Sequence, residues 1–234
     1  MGIDKSLPKS ERILLAAADV FSRKGYLQAT LDEIIEIADT GKGTVYNYFK
    51  NKDNLFYTLV SRINEPFVTA LQKVEASDES PFIKLESYLK EMISFLRVND
   101  TLWQVLFYEM IGANRGWYFI HDYETNSDRL VVKWGAPPSQ EETEKVQRYT
   151  ELVGSSFRIL ENIMQEGVDS GLFKQSPENK GVHYAARHLY GGVAMAVFFG
   201  NDRQEKSDFI AKIIADRFLF GFAKPEKINK DIPI

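Results

Sequence analysis

A chain of 234 residues with 44% hydrophobic and 26% charged side chains has the apolar material for a packed core and no sign of wholesale disorder. The absence of cysteine removes disulfides, thiolate metal sites and cysteine nucleophiles, and fits a reducing cytoplasm. Net charge is −4, yet residues 1–60 hold eight basic and eight acidic side chains, so the whole acidic excess lies beyond residue 60. The longest apolar run, residues 189–199, is well short of the roughly 18 residues that a bilayer span needs, so no membrane partner is expected.

Thr30 followed by Glu33 is a capping-box pattern, which predicts a short helix beginning near Leu31. Leu31, Ile34, Ile35 and Ala38 recur at helical spacing, and the run Asp39-Thr40-Gly41 then reads as a tight turn. A second short helix is predicted over residues 42–49. Val45 and Phe49, four apart, face inward, leaving Thr44, Tyr46, Asn47 and Tyr48 outward or sideways. Hydroxyl, phenol and ammonium groups near a helix start suit phosphate oxygens, Gly43 lets a backbone approach closely, and Lys42, Lys50 and Lys52 flank the helix. Composition alone leaves a solvated helical hairpin equally open.

The window resembles the N-terminal DNA-binding segment of the tetracycline-repressor (TetR) family of bacterial regulators. The string I-L-L-A-A-A-D-V-F-S-R-K-G-Y beginning at Ile13 is similar to that family's first helix, and Ala29-Thr30 to the link into its second. The most specific portion is Lys42-Gly43-Thr44-Val45-Tyr46-Asn47-Tyr48-Phe49 with Lys52 and Leu55-Phe56. One departure is local: the family turn usually reads Ala-Gly-Val-Ser, whereas this chain has Ala38-Asp39-Thr40-Gly41. Asp tolerates a left-handed turn and Gly41 can serve as an N-cap, but no side-chain hydroxyl is offered there and Asp39 brings negative charge towards DNA. With double-stranded DNA as the partner, Lys42 and Lys52 are expected to hold phosphates, Thr44 and Tyr48 the backbone, and Asn47 with Tyr46 the bases, with Thr30 and Gly43 completing the contact set.

Beyond residue 56 helical periodicity predominates. A fourth helix is predicted over residues 53–75, kinked at Pro66, which lacks an amide donor and crowds the carbonyl of Arg62. Ser80-Pro81 opens a fifth to about residue 98, and Asn99-Asp100-Thr101 starts a sixth ending at or soon after Gly112. Residues 112–140 read as part helix, part loop. Ser139 with Glu142 forms another capping box for a long helix to Asp169 that stops at Gly171. Ser176-Pro177 opens the next, to near Gly200, and a last helix covers about residues 205–222.

Gly192, Ala196 and Gly200, small residues four apart beside Leu189 and Val193, permit close approach of another helix, either within the chain or from a second copy. The resemblance favours a homodimer, because in that family the last two helices pair with their copies. Phe95, Trp103, Phe107, Tyr108, Trp117, Tyr123 and Phe157 load the middle of the chain with aromatics, which serve either as ordinary core or as the wall of an apolar pocket, with Gln104, Asn114 or His121 to orient a ligand. The resemblance implies such a pocket and a small effector that releases DNA, and an aromatic wall would suit one that is largely apolar or aromatic. Enzyme chemistry has little support: His183 and His188 are five apart, on different helix faces, and no nucleophile elbow or phosphate-binding glycine loop is present. No cofactor or metal is expected. The sequence thus predicts an all-α protein of about nine helices: a DNA-binding domain at residues 1–52, an effector-binding and dimerisation domain at 53–224 and a tail at 225–234. Its function is that of a ligand-responsive homodimeric repressor. A small-molecule-binding or catalytic helical protein that retains the helix-turn-helix as scaffold is the alternative.

Overall fold

The computed structural model describes residues 3–111, 116–122, 127–174, 181–200 and 205–220. Among them are nine helices: α1 (Lys9–Gln28), α2 (Leu31–Ile37), α3 (Lys42–Phe49), α4 (Lys52–Glu75), α5 (Pro81–Val98), α6 (Asp100–Ile111), α7 (Gln140–Asp169), α8 (Gly181–Phe199) and α9 (Ser207–Phe220). The fold is helical, as expected. The openings of α8 and of the tail, at Ser176-Pro177 and residues 225–234, lie outside the described residues.

Residues 112–140 depart from the expected mixture of helix and loop. They contain an antiparallel hairpin of β1 (Trp117–Asp122) and β2 (Ser127–Val132), with Trp117 opposite Val132 and Asp122 opposite Ser127. The physical reason is composition: Trp117, Tyr118 and Phe119 stand in register with Val132, Val131 and Leu130, and aromatic and branched residue types of this kind suit a strand better than a helix. Its base is closed at Gly116, whose carbonyl accepts from the amides of Lys133 and Trp134. A Cβ there would meet the Trp134 carbonyl carbon at 2.5 Å, so the closure requires glycine.

Two capping boxes behave differently. At Ser139 the box is complete: its hydroxyl accepts from the Glu142 amide at 3.2 Å and its own amide donates to Glu142 Oε2 at 2.8 Å. At Thr30 only the first half forms, with Oγ1 accepting from the Glu33 amide at 3.3 Å, because Glu33 turns instead to Lys24 and Arg23. Glycine at 171, with φ of 74°, ends α7 as expected. Helix α4 runs as one element through Pro66.

Packing divides the chain into two units, residues 1–69 with 98–156, and 70–97 with 157–234. In the first, α1 packs against α2, α3 and α6. Its centre is Phe21, fully buried, with its ring 4.8 Å from Phe56 and stacked on Tyr26. Ile13, Ala17, Ile34, Val45 and Leu55 are buried in the same unit. In the second, Leu85, Leu89, Ile93, Leu160, Ile163, Leu189 and Val193 are buried. Phe21→Ala is expected to lower unfolding free energy by about 3–5 kcal/mol, measured by urea denaturation followed by circular dichroism.

Candidate nucleic-acid interface

Helix α3 buries Val45 and Phe49 and exposes Lys42, Gly43, Tyr46, Asn47, Tyr48 and Lys50, while Thr44 is half-buried. This is the face expected to meet DNA. The turn before it adopts the predicted shape: Asp39 takes φ of 48°, and Gly41 stands at the N-cap with no side-chain hydrogen bond. The negative charge of Asp39 is countered by Lys5, 2.5 Å away, a hydrogen bond that also holds the carboxyl below the usual carboxylate range. Arg12 donates to the Asp39 carbonyl at 3.2 Å and ties the turn to α1. Lys42 pairs with Asp32 at 3.2 Å with both side chains exposed, a contact weak enough to exchange for a phosphate.

The exit from α3 is a γ-turn. The Asn51 amide donates to the Phe49 carbonyl at 2.7 Å across Lys50, which has φ of 65° and ψ of −51°. Lys50 itself is exposed beside the reading face.

Lys52, expected to hold a phosphate, has partners within the chain. Its ammonium donates to the carbonyls of Tyr26 at 2.9 Å, Ala29 at 3.0 Å and Leu27 at 3.4 Å, and lies 4.6 Å from the centre of the Tyr26 ring. The cause is Gly25, whose φ of 71° and ψ of 175° break α1 and turn the following carbonyls towards α4. Burial holds the ammonium below its ordinary pKa, and the Lys145 charge pushes the same way. Lys52 is thus a lock between α1 and α4. Its neighbour Asp53, which the sequence reading passed over, is surrounded by Arg148 at 2.5 Å, Tyr149 at 3.1 Å and Lys145 at 3.2 Å. Burial first, and the Asp53 charge second, push the Tyr149 phenol up, so it stays neutral and donates.

The other expected sites are redistributed. Leu189 and Val193 are buried in their own unit, so their place in a dimer face is corrected: they share the inward stripe of α8 with Ala186, Tyr190 and Ala194. Gly192 and Ala196 are exposed and Gly200 is half-buried. A Cβ at Gly192 would meet nothing within 4 Å, so its small size serves no contact among the described residues. Of the aromatics, Trp103 and Trp117 are buried, Phe107 half-buried and Tyr108 exposed in the first unit. Phe95 and Phe157 belong to the second, where Phe157 meets the rings of His183 and Tyr190 edge-on. Tyr123, Asn114 and the side chain of His121 lie outside the described residues. A shallow groove in the second unit is lined not by these aromatics but by Ile93, Arg97, Val193, Ala196, Val197, Gly200, Ile210 and Ile214. Among the described residues no helix is long and apolar enough to cross a membrane.

Residues 13–58, which carry the reading helix and its lock, match the model of bacterial regulatory proteins of the tetR family. That segment is a tetR-family DNA-binding domain. The chain is a DNA-binding transcriptional regulator. It is 23% identical over 204 residues to the fatty acid metabolism regulator protein of Bacillus subtilis, covering 87% of this chain and 89% of that one. Identity to the transcriptional repressor NicS of Pseudomonas putida is also 23%, over 88% of this chain and 82% of the repressor. The fold is similar to the crystal structure of FadR from Bacillus subtilis in complex with stearoyl-CoA, with a TM-score of 0.66 at 20% identity, over 91% of this chain and 99% of that one.

Two substitutions separate the lysines. Lys42→Ala is expected to weaken binding to all duplexes alike and to flatten the salt dependence by about one unit per site. Lys52→Met is expected to cost about 1–2 kcal/mol of stability by stripping the α1 carbonyls of their donor, while leaving the salt slope of DNA titrations unchanged.

Proposed function

We propose that this regulator is a homodimeric repressor that reads a pseudo-palindromic operator and is released by a small, largely apolar effector. The observation that carries the dimer is an apolar face on α8 and α9 that is exposed among the described residues. Tyr184, Met195, Phe199, Phe209, Ile213 and Phe220 are all exposed, Phe199 to 79% and Phe220 to 67%. Gly191 and Gly192 sit in this face with open space above them, although glycine inside a helix costs about 1 kcal/mol relative to alanine. Close approach of a second copy supplies the reason for both. Two-fold symmetry then places two copies of α3 on successive half-sites.

Within each copy the assignments at α3 follow exposure: Lys42 and Lys50 to phosphates, Thr44 and Tyr48 to the backbone, Tyr46 and Asn47 to base edges. The protein acts by binding, not catalysis. The effector reading rests on likeness to a fatty acid metabolism regulator and to a neighbour holding stearoyl-CoA, which favours a long acyl chain as the ligand class. Effector binding biases the dimer towards a separation of the reading helices that no longer matches the operator, and α4, which begins at the exit of α3 and contains Pro66, is the element that transmits it.

A bulky Gly192→Trp is expected to yield monomers in sedimentation experiments with helical content intact, and to lower operator affinity by about 10²-fold or more through loss of bivalency. An unchanged dimer would place the interface elsewhere. With an operator selected from random duplexes, stearoyl-CoA is expected to reduce affinity by about 5–150-fold. No response to acyl-CoA esters, with operator binding intact, would exclude that ligand class and leave the repressor reading standing.

A further inference from the structure

The first unit contains a charged cluster that DNA contact does not use. Asp53, in the first turn of α4, accepts from Arg148 Nη2 at 2.5 Å and Tyr149 Oη at 3.1 Å and pairs with Lys145 at 3.2 Å, all three on α7. Lys145 also pairs with Glu109 of α6 at 3.3 Å and stands 3.9 Å from the centre of the Tyr26 ring, in the last turn of α1. Arg148 Nη1 reaches Asn54 Oδ1 at 3.1 Å, and its guanidinium lies 4.9 Å from the Tyr57 ring. Two carboxylates and two cations are thus paired, with the Lys52 ammonium close enough to feel both Lys145 and Glu109. Glu109 is buried and Asp53 and Lys145 are largely so.

Such a cluster is a poor way to gain stability, since desolvating the charges offsets most of their attraction, and apolar residues of the same volume would do as well. It is an effective way to specify one arrangement, because any slip leaves an uncompensated charge. The arrangement specified here is that of α4's first turn, hence of α3, which precedes it by two residues, against α6 and α7.

We infer that Asp53, Arg148, Lys145 and Glu109 are positioning residues for operator reading, through which α6 and α7 set the orientation of the recognition helix without touching DNA. The inference rests on the DNA-binding reading of α3, and the parent protein's own selectivity checks that reading separately. A structural role alone would change stability without changing discrimination between duplexes.

The test is titration of a selected operator and a scrambled duplex at two salt concentrations with the full-length parent, Asp53→Asn, Arg148→Met, Arg148→Lys, Tyr149→Phe and the Asp53→Asn/Arg148→Met double variant, each checked for helical content and melting. The single variants Asp53→Asn and Arg148→Met are expected to lose operator affinity about tenfold or more, with scrambled-duplex affinity and salt slope unchanged, and the double variant to be no worse than either. Arg148→Lys is expected to recover most of the loss. Should Arg148→Met not fold, Tyr149→Phe, which removes one hydroxyl from a retained ring, is expected to lose about threefold on the operator alone. Parental operator affinity in folded variants overturns the proposal, as do multiplicative losses in the double variant or equal losses on both duplexes with a shallower salt slope. A parent that selects no operator overturns the DNA reading instead.

Discussion

An eight-residue helix that buries only Val45 and Phe49 cannot hold its own orientation, so everything that α3 does depends on how its two ends are tied. The stronger tie is the Lys52 ammonium, which gathers three carbonyls released by the break at Gly25 and so fastens the start of α4 to the end of α1. One methylene-tethered charge makes the end of one helix the anchor of another. Tyr26, over whose ring the ammonium lies, is itself stacked on Phe21 and tilted against Phe56. The γ-turn at Lys50 then converts that fixed start into a fixed exit for α3.

Electrostatics explains how an acidic protein presents a candidate DNA-binding face. Two of the hairpin's four acids are occupied by cations from outside α3: Asp39 by Lys5, Glu33 by Lys24 and Arg23. Lys42 and Lys50 stay exposed around tyrosine and asparagine donors. Net charge is therefore a weak guide to DNA affinity, which follows the few cations within reach of phosphates. The stretch that departs from the family pattern, Asp39-Thr40-Gly41, is absorbed by the same logic. A pair formed with the N-terminal segment offsets the charge, and a backbone that Asp can adopt replaces the usual glycine.

What the sequence disclosed was what repeats locally. Capping residues, breakers and the spacing of Leu31, Ile34, Val45 and Phe49 located α2 and α3 because each signal acts within one or two turns. The β1–β2 hairpin escaped because Trp117-Tyr118-Phe119-Ile120 is a continuous apolar run, with no alternation to mark a strand. The carbonyl partners of Lys52 were not legible because a lysine beside a recognition helix reads as a phosphate clamp whichever way it turns, and its direction is set by Gly25, twenty-seven residues earlier. Pairing of Asp53 with Arg148, 95 positions apart, leaves no trace in either segment. On α8 the same stripe of small and large residues contained both an inward and an outward face. Leu189 and Gly192 are only three apart, and burial alone sorts them.

The way α3 is fastened has an evolutionary corollary. Because its inward contacts reduce to Val45 and Phe49 while its supports sit at Gly25, Lys52 and Asp53, the residues that face outward are free to drift without disturbing what carries them. Binding preference is thereby uncoupled from folding. A lineage could retune Tyr46, Asn47 and Tyr48 to new sequences step by step, with each intermediate still folded. Lys52 is the opposite kind of position: its three convergent acceptors suit a compact ammonium and not the planar fork of arginine, so even that exchange would be selected against. Innovation and constraint thus sit within a few residues of each other, divided by a single turn of chain.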